Sequence, residues 1–325
     1  MRARLVIVNW NGRAWLERCL AAVEAECRGL AEVVVVDNGS TDDSVAWLAQ
    51  ACPWVRVVAV GENAGFSRGN NLGVAGAATE FLVFLNNDTE VEPGWLAALI
   101  AAADRDPSVG LVTSQLVYFD RPDLVDSAGD GYLRCGGAFK VWHGRTASTA
   151  PGSREVFGAC GGACLIRREL FERLGGFDER LFLIYEDVDL SYRARLTGAR
   201  IVYAADAVVR HRGSATVGRA SATAVFYGQR NLEWVWLQNT PGRLLWRSFI
   251  SHAIYSCAGV AAYARHGHGW TAVRAKLAAL AGIPATLSRR RLIQKGATAD
   301  PERLWQLMEG DWIGIKRREK AFDLG

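Results

Sequence analysis

Short apolar runs alternate with segments of mixed polarity along the first 120 residues. Runs rich in Val, Ile and Leu at 5–8, 33–36, 55–60, 81–85 and 109–112 predict strands. Between them, apolar residues recur at spacings of three and four across 15–27, 43–51 and 94–103, and more briefly across 70–77, which predicts helices. Such alternation predicts an α/β domain whose parallel sheet is covered by helices. The strands are apolar at consecutive positions, as a sheet buried on both faces requires.

Ligands of such sheets bind at the carboxyl ends of the strands. The first strand runs into Asn9, Trp10 and Asn11, and the second into "DNGSTD" at 37–42. The third precedes "GENAGFSRGNN" at 61–71, and the fourth ends on Asn86, Asn87 and Asp88. Each segment also has a local reading. "DNGSTD" suits a turn followed by a helix cap, and the third suits a loop with Arg68 solvated. Their concentration at one end of the strands favours a site. No Walker A pattern and no GxGxxG follows the first strand, which argues against P-loop hydrolases and nicotinamide dehydrogenases.

The second half adds "GACGGACLIR" at 158–167, whose small residues suit either close approach to a ligand or tight packing. Residues 187–197 predict a helix with an acidic first turn, late arginines and Gly198 to close it. Glu186, Asp187 and Asp189 place three carboxylates within four residues beside the apolar "LFLIY". Crowded carboxylates near apolar groups raise one another's pKa, as a general base requires; dipole complementarity alone is the other reading. His211 ends a predicted strand within 207–216, and is either structural or a metal or phosphate contact.

Half of the 325 residues are hydrophobic, enough for a sizeable core. Charge is uneven: residues 241–325 hold 14 Lys and Arg against 6 Asp and Glu, while the first 240 hold 24 against 28. A basic tail on an acidic body suits an anionic surface. The seven cysteines form no CxxC pair, which predicts reduced, packed thiols in a cytoplasmic chain. Cys160 and Cys164 lack neighbouring His or Cys, against a zinc site. The amino terminus lacks the long apolar stretch of a secretory leader. Only 17 residues separate Arg247 from Arg265, fewer than the roughly 20 of a spanning helix. Trp246, Tyr255, Tyr263 and Trp270 among arginines at 244–291 predict helices lying in a membrane interface. Packing on the body or on another subunit is the competing reading.

Six stretches in order resemble the successive motifs of family 2 glycosyltransferases. They are "VIVNWNG", "VVVVDNGSTD", "NAGFSRGNNLG", "FLNNDTEV", "GGFDERLFLIYEDVDLSYRARLTG" and "HRGSAT". "FGACGGACLIRREL" and "YGQRNLEWVWLQNTP" resemble the family's rhamnosyltransferase-like branch. The resemblance implies a GT-A fold in residues 1–240, with a nucleotide-sugar half (1–116) and an acceptor and catalytic half (117–240). An amphipathic helical region would follow at 241–325. It implies inverting transfer of a sugar from a dTDP- or UDP-sugar, with L-rhamnose as the leading donor sugar. The acceptor would be a hydroxyl of a cell-envelope glycan or polyprenyl-linked sugar, at the inner face of the membrane.

By the same resemblance, Asp37 accepts the imide N–H of a pyrimidine, and Asn9, Trp10, Asn11 and Asn38 line base and ribose. Asn63, Gly65, Arg68 and Asn71 bracket ribose and diphosphate, joined by Asn86 and Asn87. Asp88 holds Mg2+ or Mn2+, with His211 as a second contact; many members carry Asp where Asn86 stands. Asp187 is the base, with Glu186 its rival, and Gly161, Gly162, Asp189 and Arg193 lie near the reacting sugars. No nucleic-acid motif is present, and the oligomeric state stays open. The rival functions are a nucleotidyltransferase acting on a sugar phosphate, which "NWNG" matches poorly, and a non-catalytic glycan-binding protein on the same fold.

Overall fold

The computed structural model describes residues 1–213 and 221–323. Its first third alternates as the apolar pattern predicts: β1 (Ala3–Asn9), α1 (Arg13–Cys27), β2 (Ala31–Asp37), α2 (Ser44–Ala51), β3 (Arg56–Ala59), α3 (Gly65–Val74) and β4 (Phe81–Asn86). Then come β5 (Thr89–Val91), α4 (Trp95–Asp104) and β6 (Val109–Tyr118). The middle holds β7 (Val125–Ser127), β8 (Asp130–Tyr132), β9 (Ala138–Lys140), β10 (Arg154–Glu155), β11 (Ala163–Arg167), α5 (Arg168–Leu174), α6 (Glu186–Leu196) and β12 (Arg200–His211). The rest of the described chain is helical: α7 (Ala222–Asn239), α8 (Gly242–Arg265), α9 (Gly269–Ala281), α10 (Ile283–Lys295), α11 (Pro301–Leu307) and α12 (Trp312–Asp323).

The main sheet runs β10-β12-β6-β11-β4-β1-β2-β3, with β5 on β12 and β7 on β6. Its strands are apolar on both faces because both faces are covered. Leu5, Ile7, Val33, Val35, Val83 and Leu85 pack with α1 and α4 through Leu16, Leu20, Trp95 and Leu99. The alternate residues Val6, Val34, Val36, Leu82 and Phe84 pack with Phe171, Phe177 and Leu190. Each such side chain contributes about 1.5–3 kcal/mol on burial.

The sheet is mixed rather than wholly parallel. β3, β2, β1 and β4 are parallel, but β11 lies antiparallel between β4 and β6. This direction has a consequence: an antiparallel strand begins where its parallel neighbours end, so Gly161 and Gly162 enter at the ligand edge. Two elements also outrun their sequence signals. β6 continues to Tyr118, and α3 starts at Gly65 rather than near residue 70. Gly65 takes φ +77, and a Cβ there would lie 2.5 Å from the Phe182 ring, so glycine opens this helix. "HRGSAT" lies outside the described residues from Ser214 to Thr216.

No described helix is long and apolar enough to cross a membrane. Ala272, Ala275 and Ala279 bury one face of α9, and the Trp234 indole N–H on α7 donates to the Ala279 carbonyl at 3.0 Å. The opposite faces stay exposed: Trp246, Phe249, Ile250 and Ile254 on α8, and Trp270, Leu277 and Leu280 on α9. The tail thus both packs on the body and presents an apolar, arginine-bearing surface.

Candidate active site

The carboxyl ends of β1, β2 and β4 form one connected polar network. Asn9, Asp37, Asn38, Asn87 and Asp88 are all buried. Polar side chains can close apolar strands here because adjacent strand ends satisfy one another. Asn9 Nδ2 donates to Asp37 Oδ2 and Ser40 Oγ, at 3.2 Å each. Asn87 Nδ2 donates to Asn9 Oδ1 at 2.8 Å. Asp37 also accepts from the Ser40 amide (2.9 Å) and hydroxyl (2.6 Å). Asn11 Oδ1 accepts from the Thr41 amide at 2.7 Å, and Trp10 stands exposed beside it. "DNGSTD" is therefore both a turn and part of the polar network at the strand ends.

Past β3, Asn63 Oδ1 accepts from the Gly65 amide and Asn38 Nδ2 donates to the Gly65 carbonyl, both at 3.0 Å. Arg68 is exposed and paired with Glu62 at 3.1 Å. Asn71 does not join this edge. Its side chain donates to the Phe177 carbonyl and accepts from the Phe177 amide, both at 3.0 Å. The early start of α3 carries it six residues, about 9 Å, along the helix. It is thus occupied with the segment before α6 rather than joined to the polar network of the strand ends.

Asp88 and His211 are brought together by register. Thr89 of β5 pairs with His211 of β12, so Asp88 Oδ1 lies 3.5 Å from His211 Nε2. His211 Nδ1 contacts Asp126 Oδ2 at 2.8 Å, and Lys140 Nζ donates to both Asp126 oxygens at 2.7 and 2.8 Å. Burial alone would lower the His211 pKa, but Asp126 and Asp88 push it up to about 9. Burial would raise Asp126, yet Lys140 and His211 hold it far below the usual carboxylate range. His211 Nε2 is buried without a hydrogen-bond partner. Protonated, His211 sits between the two carboxylates; a cation that displaces the Nε2 proton, with Nδ1–H kept on Asp126, would meet an imidazole lone pair beside Asp88, a donor set that fits a divalent ion. Asn86 lies at the same edge, its amide donating to the Gly162 carbonyl at 2.9 Å.

The acidic residues sit at the start of α6. Asp187 Oδ2 accepts from the Gly161 amide and Oδ1 from the Val188 amide, both at 2.8 Å. A Cβ on Gly161 would lie 3.1 Å from Asp187 Oδ2, so close approach and tight packing are here the same requirement. Asp187 is partly exposed and Glu186 is buried. Burial pushes Asp187 up, against the pull of its two amide donors. Burial, then the neighbouring Asp187, pushes Glu186 well above its ordinary range. Glu186 Oε2 is buried without a partner.

Asp189 and Arg193 lie elsewhere. They form a 2.7 Å ion pair, both buried, and Asp189 accepts from Gln238 (2.7 Å) and Asn239 (2.8 Å) of α7. Two residues along a helix is about 200° of rotation, so Asp189 cannot share the face of Asp187. The pair anchors α6 to α7.

Sequence patterns alone missed Asp126, Lys140 and Asp130. The hint was "DSAGDG", two aspartates in a segment that reads as a loop but forms β7 and β8. Ligand atoms of Asp130, Cys160 and Asp187 lie within 4.8 Å of one another, neighbours that local sequence hides. Burial and then Asp187 push Asp130 well up, and burial pushes the Cys160 thiol up as well.

Residues 5–175 match the family described as glycosyl transferase family 2. The chain is 31% identical over 263 residues to the N-acetylglucosaminyl-diphospho-decaprenol L-rhamnosyltransferase of Mycobacterium tuberculosis, spanning 71% of this chain and 85% of that protein. It is 28% identical over 211 residues to the O-antigen chain rhamnosyltransferase WbaN of Salmonella anatum, spanning 64% and 65%. The mannosyltransferase PcManGT from Pyrobaculum calidifontis, solved with GDP-Man and Mn2+, aligns over 91% of this chain and 85% of its own. The TM-score is 0.54 at 19% identity, which shows a shared GT-A fold.

Proposed function

The chain belongs to glycosyltransferase family 2, and on that footing we propose that it is an inverting rhamnosyltransferase of cell-envelope assembly. The donor is dTDP-L-rhamnose, with UDP-sugars as the alternative class, and the acceptor is a hydroxyl of a glycan or polyprenyl-linked sugar. Residues 1–116 bind the donor, 117–240 bind the acceptor and carry the base, and 241–325 form the helical extension. Two relatives described as rhamnosyltransferases, one named for a decaprenyl diphosphate substrate, support this reading.

One observation carries the mechanism: Asp187 is a partly exposed carboxylate at the ligand edge, held by two amides and raised by burial. Asp187 takes the proton of the acceptor hydroxyl as that oxygen bonds to the anomeric carbon. The bond to the nucleoside diphosphate breaks on the opposite face, inverting the centre. Glu186 is the weaker candidate because it is buried and its Oε2 has no partner. Asp37 accepts the pyrimidine imide N–H, with Asn9, Trp10, Asn11 and Asn38 around base and ribose. Asn63, Gly65, Arg68, Asn86 and Asn87 face the ribose and diphosphate. Asp88 and His211 would hold Mg2+ or Mn2+, which when bound offsets charge on the leaving diphosphate.

The exposed face of α8 and α9 would rest on the inner leaflet. Aromatic and aliphatic side chains beside Arg243, Arg247, Arg265 and Arg274 suit an anionic interface. The functional test is product formation from dTDP-L-rhamnose, UDP- and GDP-sugars with Mn2+ or Mg2+ and a polyprenyl-linked acceptor. Acceptor-dependent release of dTDP supports the reading; release only from a purine nucleotide-sugar overturns the donor assignment. Flotation with anionic vesicles checks the membrane face, and recovery unchanged by Trp246→Glu with Trp270→Glu would refute it.

A further inference from the structure

Residues 182–185 lead directly into Glu186 and Asp187 with unusual backbone geometry. Phe182, Ile184 and Tyr185 have φ of 66°, 65° and 78°. The left-handed region is unfavourable for L-residues and most of all for a β-branched one such as Ile184. Such a stretch persists only where its surroundings over-determine it.

The restraint comes from α7. Asn231 is fully buried, and its Nδ2 donates to the carbonyls of Leu181 (2.9 Å), Leu183 (3.0 Å) and Ile184 (2.7 Å). The two N–H groups of Nδ2 serve the three carbonyls with one bond shared, and Asn231 Oδ1 accepts from Arg230 Nε at 2.9 Å, which fixes which end of the amide faces them. Arg230 Nη2 adds bonds to the Arg180 and Leu181 carbonyls at 2.7 and 3.2 Å. Phe182 stacks on Tyr227 with ring centroids 5.0 Å apart, and its carbonyl accepts from the Ser67 amide of α3 at 3.1 Å. The stretch is thus pinned between the donor-side helix α3 and α7.

We propose that Asn231 is the positioning residue for the catalytic base, a proposal that rests on the reading of Asp187 as that base. By holding three carbonyls it keeps Phe182, Ile184 and Tyr185 at positive φ, and so keeps Asp187 against the Gly161 amide. Without it, Ile184 and Tyr185 relax toward negative φ and α6 begins with Asp187 re-aimed. Donor binding, made by other strand ends, is left in place.

The test measures kcat, donor KM and nucleoside diphosphate affinity in the full chain. Asn231→Ala is expected to lower kcat at least 30-fold with donor KM and affinity within threefold. Asn231→Ser, which retains one donor, is expected to fall between and covers the case in which the alanine variant does not fold. Ile184→Gly removes the cost of the left-handed conformation. Added to either Asn231 variant, it is expected to restore kcat at least fivefold, while alone it changes kcat less than twofold. A loss of kcat without that rescue, or an Asn231 variant with kcat within twofold of wild type, overturns the proposal. Asp187→Asn in the same assay separates the two failures. If it is inactive while the Asn231 variants are unaffected, only the positioning role falls; if it turns over normally, the base assignment itself falls.

Discussion

The donor edge and the acid cluster are built from similar residues but differ in how they are satisfied. At the donor edge Asn9, Asp37, Ser40 and Asn87 bond to one another at 2.6–3.2 Å. Among the described residues, no cation is hydrogen-bonded to Glu186, Asp187 or Asp130, and burial raises all three. The first region is a satisfied network that shapes a surface before any ligand arrives. The second holds carboxylates where burial makes ionisation costly, which raises proton affinity in the direction a base needs. On the proposed reading, binding and chemistry fall to two neighbouring clusters of one edge, joined by Gly161 and Gly162.

The sharpest way to break that division is Asp187→Asn. General-base catalysis contributes on the order of 10^2–10^4-fold, so kcat is expected to fall by about three orders of magnitude. Nucleoside diphosphate affinity by calorimetry should stay within threefold; a parallel loss of binding would mean that the two regions are not separable. Next in size, Asp88→Ala is expected to abolish the difference in nucleoside diphosphate affinity with and without Mn2+. A variant that keeps the full Mn2+ effect would move the cation site away from Asp88 and His211. Asp126→Asn acts one step further out. A partner orienting a metal-binding histidine is worth about 10–100-fold in metal affinity, so Mn2+ titration should shift by that amount with kcat at saturating metal little changed. An unshifted titration would make Asp126 a packing residue.

Sequence patterning reached the two regions unequally. The donor edge was legible because each of its segments follows an apolar strand, and one rule about strand ends collects them. Asp187 was legible because carboxylates crowd beside an apolar run. The chain Lys140–Asp126–His211–Asp88 was not, since its members lie on β9, β7, β12 and the turn after β4 and meet only through long-range pairing. The place of β11 was hidden for the same reason, because strand direction leaves no local mark. Asn71 and Asp189 show the opposite difference between motif and placement. Their motifs are rich in polar residues, but helix rotation turns these two side chains toward backbone and α7.

The smallest effect tests the stability side of the comparison. Asp130 is buried, and its pKa lies well above the ordinary carboxylate range because of burial and Asp187. Between its unfolded pKa, about 3.9, and its raised folded value, the native state binds more protons than the unfolded one. Stability therefore falls as pH rises through that window. Asn cannot ionise, so Asp130→Asn is expected to be near neutral at pH 4 and stabilising at pH 8. Relief of an uncompensated buried polar group is worth about 1–3 kcal/mol, which for a chain of this length is a Tm gain of roughly 2–4 °C. Calorimetric Tm values of both proteins across pH 4–8 check it. A gap that widens toward acid would reverse the sign and mean that the Asp130 carboxylate stabilises the fold, erasing the contrast with the donor edge.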